Sequence, residues 1–129
     1  MPMKRGLLLF AHGARDPRWA EPFEAVAARA RLHEPTWVVQ LAFLEFMAPT
    51  LIEAGHALAG AGCERVDVVP LFLGAGGHVR KDLPALLIEL KTAHPTVHWR
   101  LQRAIGEQPD VIDAMARAAV THLSDDPLP

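Results

Sequence analysis

Residues 65–93 read RVDVVPLFLGAGGHVRKDLPALLIELKTA, and this stretch decides the fold. Arg65 to Leu73 form an apolar run in which Val66, Val68, Val69, Leu71 and Phe72 favour extended structure. Three glycines in the next four residues, Gly74-Ala75-Gly76-Gly77, interrupt it, and Leu83 to Ala93 then carry apolar residues at helical spacing. A buried strand, a turn at its carboxyl end and a covering helix make one βα unit. Pro70 is the dissonant residue. A proline donates no ladder hydrogen bond, so it argues for an edge strand or a bulge.

The same unit recurs on either side. Leu7 to Phe10 form a continuous apolar strand, followed by a helix over Pro22 to Leu32 with Phe23, Val26, Ala27 and Ala30 on one stripe. Trp37 to Leu44 form the second strand and Pro49 to Ala59 the second helix; a short strand at Val97 to Leu101 and a helix from Pro109 to His122 complete the series. Pro22, Pro49, Pro84 and Pro109 fit first helical turns, where a missing N–H costs little. Gly60–Gly62 and His94–Pro95 fit helix ends. The order βαβαβαβα predicts an α/β fold: a three-layer sandwich with a central, mainly parallel four-stranded sheet, of flavodoxin-like topology.

With 129 residues, the chain fits one domain spanning 1–129, and the polar, proline-containing end at 122–129 is expected to fray. Thirteen Lys and Arg against fifteen Asp and Glu give a charge of −2, which gives no support for a bulk nucleic-acid or membrane-surface binder. Half the residues are hydrophobic, enough for a proper core. The one cysteine, Cys63, can form neither an internal disulfide nor a structural zinc site alone. The apolar run Leu7 to Ala11 is too short for a membrane span or a usual signal-peptide core. A cytoplasmic location is the default expectation.

In open parallel sheets, ligands bind beyond the carboxyl ends of the strands. Strand one runs into His12-Gly13-Ala14-Arg15-Asp16, strand two into Glu45, and strand three into the glycine run and His78. His12, Glu45 and His78 are therefore expected on one rim. Two imidazoles and a carboxylate suit a divalent first-row metal, and they equally suit proton transfer near neutral pH. Each also has a bland reading, the histidines as loop residues and Glu45 as a helix-start charge. The glycines, including Gly76 and Gly77, fit a permissive turn or a backbone that a large flat ligand approaches closely. They match neither GxxxxGK[ST] nor GxGxxG, so no nucleotide or organic cofactor is expected. Arg15, Arg18, Arg80 and Lys81 flank the two histidine loops, as anion-binding groups or as ordinary surface charge. Trp19 could stack on a planar ligand or cap the core. His33, His56, His94, His98 and His122 lie away from the rim and read as structural, as does Cys63.

HGARDPRW after strand one, LAFLEFMAPTL at strand two and VVPLFLGAGGHVRKDLP at strand three together resemble the short CbiX-type chelatases of the class II chelatase family, which insert cobalt or iron into sirohydrochlorin. The three blocks are spread across the first 84 residues. The resemblance implies the chelatase-like α/β fold and a homodimer with the tetrapyrrole cleft between two copies. It maps the family's active-site histidines onto His12 and His78, which would also hold the metal, and its acidic residue onto Glu45. Ala14 stands where many relatives have serine, removing one hydroxyl from the loop, and Gly74-Ala75 are smaller than the residues many relatives carry there. The implied function is sirohydrochlorin chelation in cobalamin or siroheme biosynthesis. The divalent metal (cobalt, iron or nickel) is then a substrate, two pyrrole protons leave, and Arg15, Arg18, Arg80 and Lys81, with Gly76 and Gly77, meet an anionic macrocycle. The alternatives are a non-catalytic metal- or tetrapyrrole-binding delivery protein and a metal-dependent hydrolase. A flavodoxin- or receiver-like module shares the alternation, but a receiver needs clustered acidic residues where this rim has histidines and arginines.

Overall fold

The computed structural model describes residues 3–74 and 76–126, with the side chains of 77–80 outside that description. Four strands form the sheet: Arg5–Ala11 (β1), Val38–Phe43 (β2), Arg65–Pro70 (β3) and His98–Leu101 (β4). Their order is β2-β1-β3-β4 and every pairing is parallel, the 2-1-3-4 arrangement of flavodoxin-like folds. Four α-helices connect and follow them: Glu21–His33 (α1), Leu51–Gly60 (α2), Gly77–Ala93 (α3) and Pro109–Thr121 (α4). Among the described residues, no helix is long and apolar enough to cross a membrane.

Alternation along β1 divides the core. Leu8 and Phe10 point with Val66 and Val68 toward Leu51, Ala54 and Leu58 of α2 and Leu83, Leu87 and Leu90 of α3. Leu9 and Ala11 point with Val39, Leu41 and Phe43 toward Ala20 and Ala27 on the α1 side. Cys63 is buried beneath the first face, at the amino end of the strands.

Pro70 lies in an interior strand, contrary to the edge or bulge expected of it, and the hydrogen-bond directions explain why. Leu71 N–H donates to Phe10 O, so odd residues of β3 bond toward β1 and even ones toward β4. The β4 pairing ends at Val68↔Leu101, and Pro70, the last residue of β3, faces past that end. Its missing N–H leaves no ladder bond unmade.

Two helix starts differ from the sequence reading. Pro49 precedes α2; Thr50 caps the helix, its hydroxyl accepting from Glu53 N–H while Glu53 Oε1 accepts from Thr50 N–H. Helix α3 begins at Gly77, six residues before Leu83, and carries Pro84 in its interior. Taking Pro84 for a first-turn proline set the boundary too late. Val26, assigned to the buried stripe of α1, is 44% exposed, whereas Ala27 is buried and Phe23 and Ala30 half-buried. Helix α4 ends at Thr121 and buries none of its residues. Of the expected frayed end, residues 127–129 lie outside the described part.

Candidate functional site

Two backbone hydrogen bonds tie the loop after β1 to the loop after β2, just past their last paired residues. Leu44 N–H donates to Ala11 O at 2.9 Å and Glu45 N–H to His12 O at 3.0 Å. His12 and Glu45 are thereby set side by side at the carboxyl ends of neighbouring strands. Gly13 makes the approach possible. It has φ +90, and a Cβ there would lie 1.9 Å from Glu45 O. Only a glycine fits between the two loops.

The His12 imidazole stacks on Phe72, with centroids 4.1 Å apart and planes 29° apart, and Phe72 is itself buried against Phe10. This contact orients the ring from the β3 side. After Glu45 the chain turns sharply: Met47 N–H donates to Glu45 O, and Phe46 adopts φ 65, a left-handed conformation unusual for a non-glycine residue. The turn presents the Phe46 ring to the Arg15 guanidinium at 5.0 Å.

His12 and Glu45 line a cleft of about 380 Å³ with Phe10, Leu44, Asp82, Leu83 and Leu86. An adjoining hollow of about 300 Å³ shares Phe10, Leu44 and Leu86. The floor is apolar, whereas His12, Glu45 and Asp82 supply ionisable groups at the wall. The structure thus brings together two of the three expected rim residues. The third, His78, occupies the first turn of α3, one helical turn before Asp82, and its side chain lies outside the described residues, as do those of Gly77 and Arg80. Among the described residues, no group of three or more His, Cys, Asp or Glu side chains is gathered to hold a metal ion.

The remaining predicted residues divide. Lys81 and Arg15 are exposed, and Gly76 is the N-cap residue of α3 with open space around its Cα. Arg18 is clasped by Asp16, with Nη2–Oδ2 at 3.0 Å and Nε–Oδ1 at 3.3 Å. The Arg18 side chain and then its backbone N–H hold the Asp16 carboxyl below its ordinary range. Trp19 packs on Phe23 at 4.5 Å and Phe43 at 6.5 Å, so it caps the core. Asp82 and Phe72 are the site residues that sequence reasoning passed over. Asp82 follows His78 at i+4, but this spacing counts only once α3 is known to begin at Gly77.

The family model for CbiX matches residues 6–121. The sirohydrochlorin cobaltochelatase of Methanococcoides burtonii is 34% identical over 87 residues, covering 67% of this chain and 66% of that one. The crystal structure of the CbiX protein from Marinobacter aquaeolei superposes with a TM-score of 0.79 at 35% identity, covering 90% of this chain and 94% of that one. SirB from Bacillus subtilis with Fe3+ superposes with a TM-score of 0.78 at 25% identity, covering 95% of this chain but 49% of SirB. The match spans just under two thirds of the first curated relatives, at 66% and 62% of their lengths.

Proposed function

Since the chain belongs to the CbiX family, we propose that it is a sirohydrochlorin metal chelatase, inserting divalent cobalt or iron into the free-base tetrapyrrole. The observation that carries this reading is the pairing of His12 with Glu45 at one cleft, held by the backbone hydrogen bond between their loops. Insertion must strip ligands from the metal and remove two pyrrole protons. An imidazole can do either, though not on the same nitrogen at once. We assign metal capture and proton acceptance to His12 and His78, with Glu45 taking a proton from the imidazole or the macrocycle. Asp82 joins them as a further carboxylate at the cleft wall. The apolar floor of Phe10, Leu83 and Leu86 suits the face of a flat macrocycle. Arg15, Arg80 and Lys81 suit its carboxylates, while Arg18 must first leave Asp16.

The same reading includes a homodimer of one-domain chains in which a second copy supplies the missing wall. Its support is twofold. SirB, with a similar fold, is about twice as long as the segment matched here. The chain also exposes 8725 Å², whereas a compact monomer of 14.1 kDa exposes about 6,700 Å². The surplus of roughly 2,000 Å² exceeds the ~800 Å² per partner of a standard interface. On α4, Ile112 and Met115 are about half exposed on one stripe while Asp113 and Arg117 pair on the opposite side. Leu44, Phe46 and Leu73 add exposed apolar surface on the loops after β2 and β3. A cytoplasmic location completes the proposal, in keeping with the unpaired Cys63.

The test is anaerobic incubation with sirohydrochlorin and Co2+ or Fe2+, followed by absorbance. His12→Ala and Glu45→Gln are each expected to slow insertion, the former by about 10²-fold or more. Rates in both variants equal to wild type, or a wild-type rate no greater than the uncatalysed background, would overturn the assignment.

A further inference from the structure

A pair of imidazoles meets at the other end of the sheet from the cleft. His56 stands on the exposed side of α2 and His94 is the C-cap of α3, 38 residues later. His56 Nδ1 and His94 Nε2 are 2.7 Å apart, with ring planes at 69°. The scaffold behind them is fixed. His94 N–H donates to Leu90 O, and His94 O accepts from Val97 N–H and from the Trp99 indole at 3.2 Å. The two helices touch through Gly55 and the fully buried Leu90. Both rings lie near the amino ends of the strands, since α2 leads into β3 and α3 into β4, whereas His12 lies at the carboxyl ends.

Two neutral imidazoles in contact share one N–H and one lone pair. Moving that N–H to the outer nitrogen of the same ring turns two lone pairs toward one point. Zinc-like ions take imidazole nitrogen at about 2.0–2.1 Å, so two tetrahedral ligands stand roughly 3.3 Å apart. Opening the pair by about 0.6 Å reaches that separation. The C-terminus of α3 contributes the negative end of its dipole, which favours a cation. Among the described residues no further His, Cys, Asp or Glu completes a closed site. Water would fill the other positions, and the ion would remain exchangeable.

We propose that His56 and His94 form a second metal site, a two-imidazole surface site for borderline divalent first-row ions. It is separate from the cleft and does not depend on the chelatase reading. Neutral rings bind such an ion with no net release of protons, because the tautomeric shift moves one proton within a ring. The ion whose affinity for imidazole is greatest in this class, Cu2+, is the probe of choice.

The experiment titrates Cu2+ into the full chain carrying His12→Ala and His78→Ala, reading tryptophan fluorescence and the heat of binding. The Trp99 ring is 6.1 Å from that of His94, so a bound paramagnetic ion quenches it. Saturable quenching at one ion per chain is expected, absent in Trp99→Phe and at least tenfold weaker in both His56→Gln and His94→Gln. The exposed His56→Gln change tests the site without disturbing the core, and circular dichroism checks the fold of each variant. No saturable quenching in the parent, unchanged affinity in both glutamine variants, or weakening in one of them alone would each overturn the proposal.

Discussion

Gly13→Ala isolates the device that builds the cleft. The added methyl carbon would stand 1.9 Å from Glu45 O, where ordinary contact begins near 3.4 Å, at a backbone φ of +90. Left-handed backbone costs an L-residue about 1–2 kcal/mol. Relieving the overlap separates the two loops by more than 1 Å and breaks the Glu45 N–H to His12 O bond, worth about 1 kcal/mol. The expected loss is about 2–3 kcal/mol, read as a lower urea midpoint with an unchanged slope. A displacement of that size also lowers metal insertion by about 10²-fold. Gly13→Asn should still be harmful, because asparagine eases the left-handed backbone but keeps the Cβ that meets Glu45 O. A midpoint and an insertion rate equal to wild type in Gly13→Ala would refute the reasoning.

Other changes reach other parts of the molecule. Asp67 is buried, which pushes its carboxyl up, but hydrogen bonds from Arg65, Gln102 and Arg5 and the charge of Arg65 outweigh this and leave it below the ordinary 3.8. Its stabilisation is therefore present above the unfolded carboxyl value and lost as pH falls through the lower folded one. Asp67→Asn should cost about 2 kcal/mol at pH 7 by urea unfolding and flatten the loss of stability below pH 4; equal acid limbs would count against it. Burial also raises the Cys63 thiol, with Lys4 pulling the other way, so Ellman's reagent should label native protein only as fast as it opens. Prompt native labelling would contradict that burial. Ile112→Asp with Met115→Asp should convert a dimer of twice the chain mass to monomer by light scattering; a double variant that still has twice the mass would remove α4 from the interface.

Much of the frame is legible in the sequence because local signals agree with the global fold. The apolar runs in β1 and β3 are buried on both faces, so their continuity marks strands of a covered parallel sheet. His12 and Glu45 were legible for the same reason, since a residue that follows a parallel strand is placed by it. What failed were signals with two meanings. Proline is most at home in a first turn but also occurs inside helices, and Pro84 stands inside α3. Val26 carries apolar periodicity, but periodicity names a face and not its cover, and Val26 is not buried here. The approach of His56 to His94 depends on how α2 leans on α3 through Gly55, a tertiary fact with no counterpart in spacing.

The bond from Glu45 N–H to His12 O joins the two loops just beyond the last paired residues of β1 and β2, Ala11 and Phe43. Strands in a sheet sit at a fixed interval of about 4.8 Å. The main-chain separation between the proposed imidazole and carboxylate donors is thus set by one backbone bond anchored on strands of fixed spacing, and side-chain rotation is left as the fine adjustment. Substitutions in the cleft wall could then retune the choice of ion while the spacing of the two backbones stayed constant.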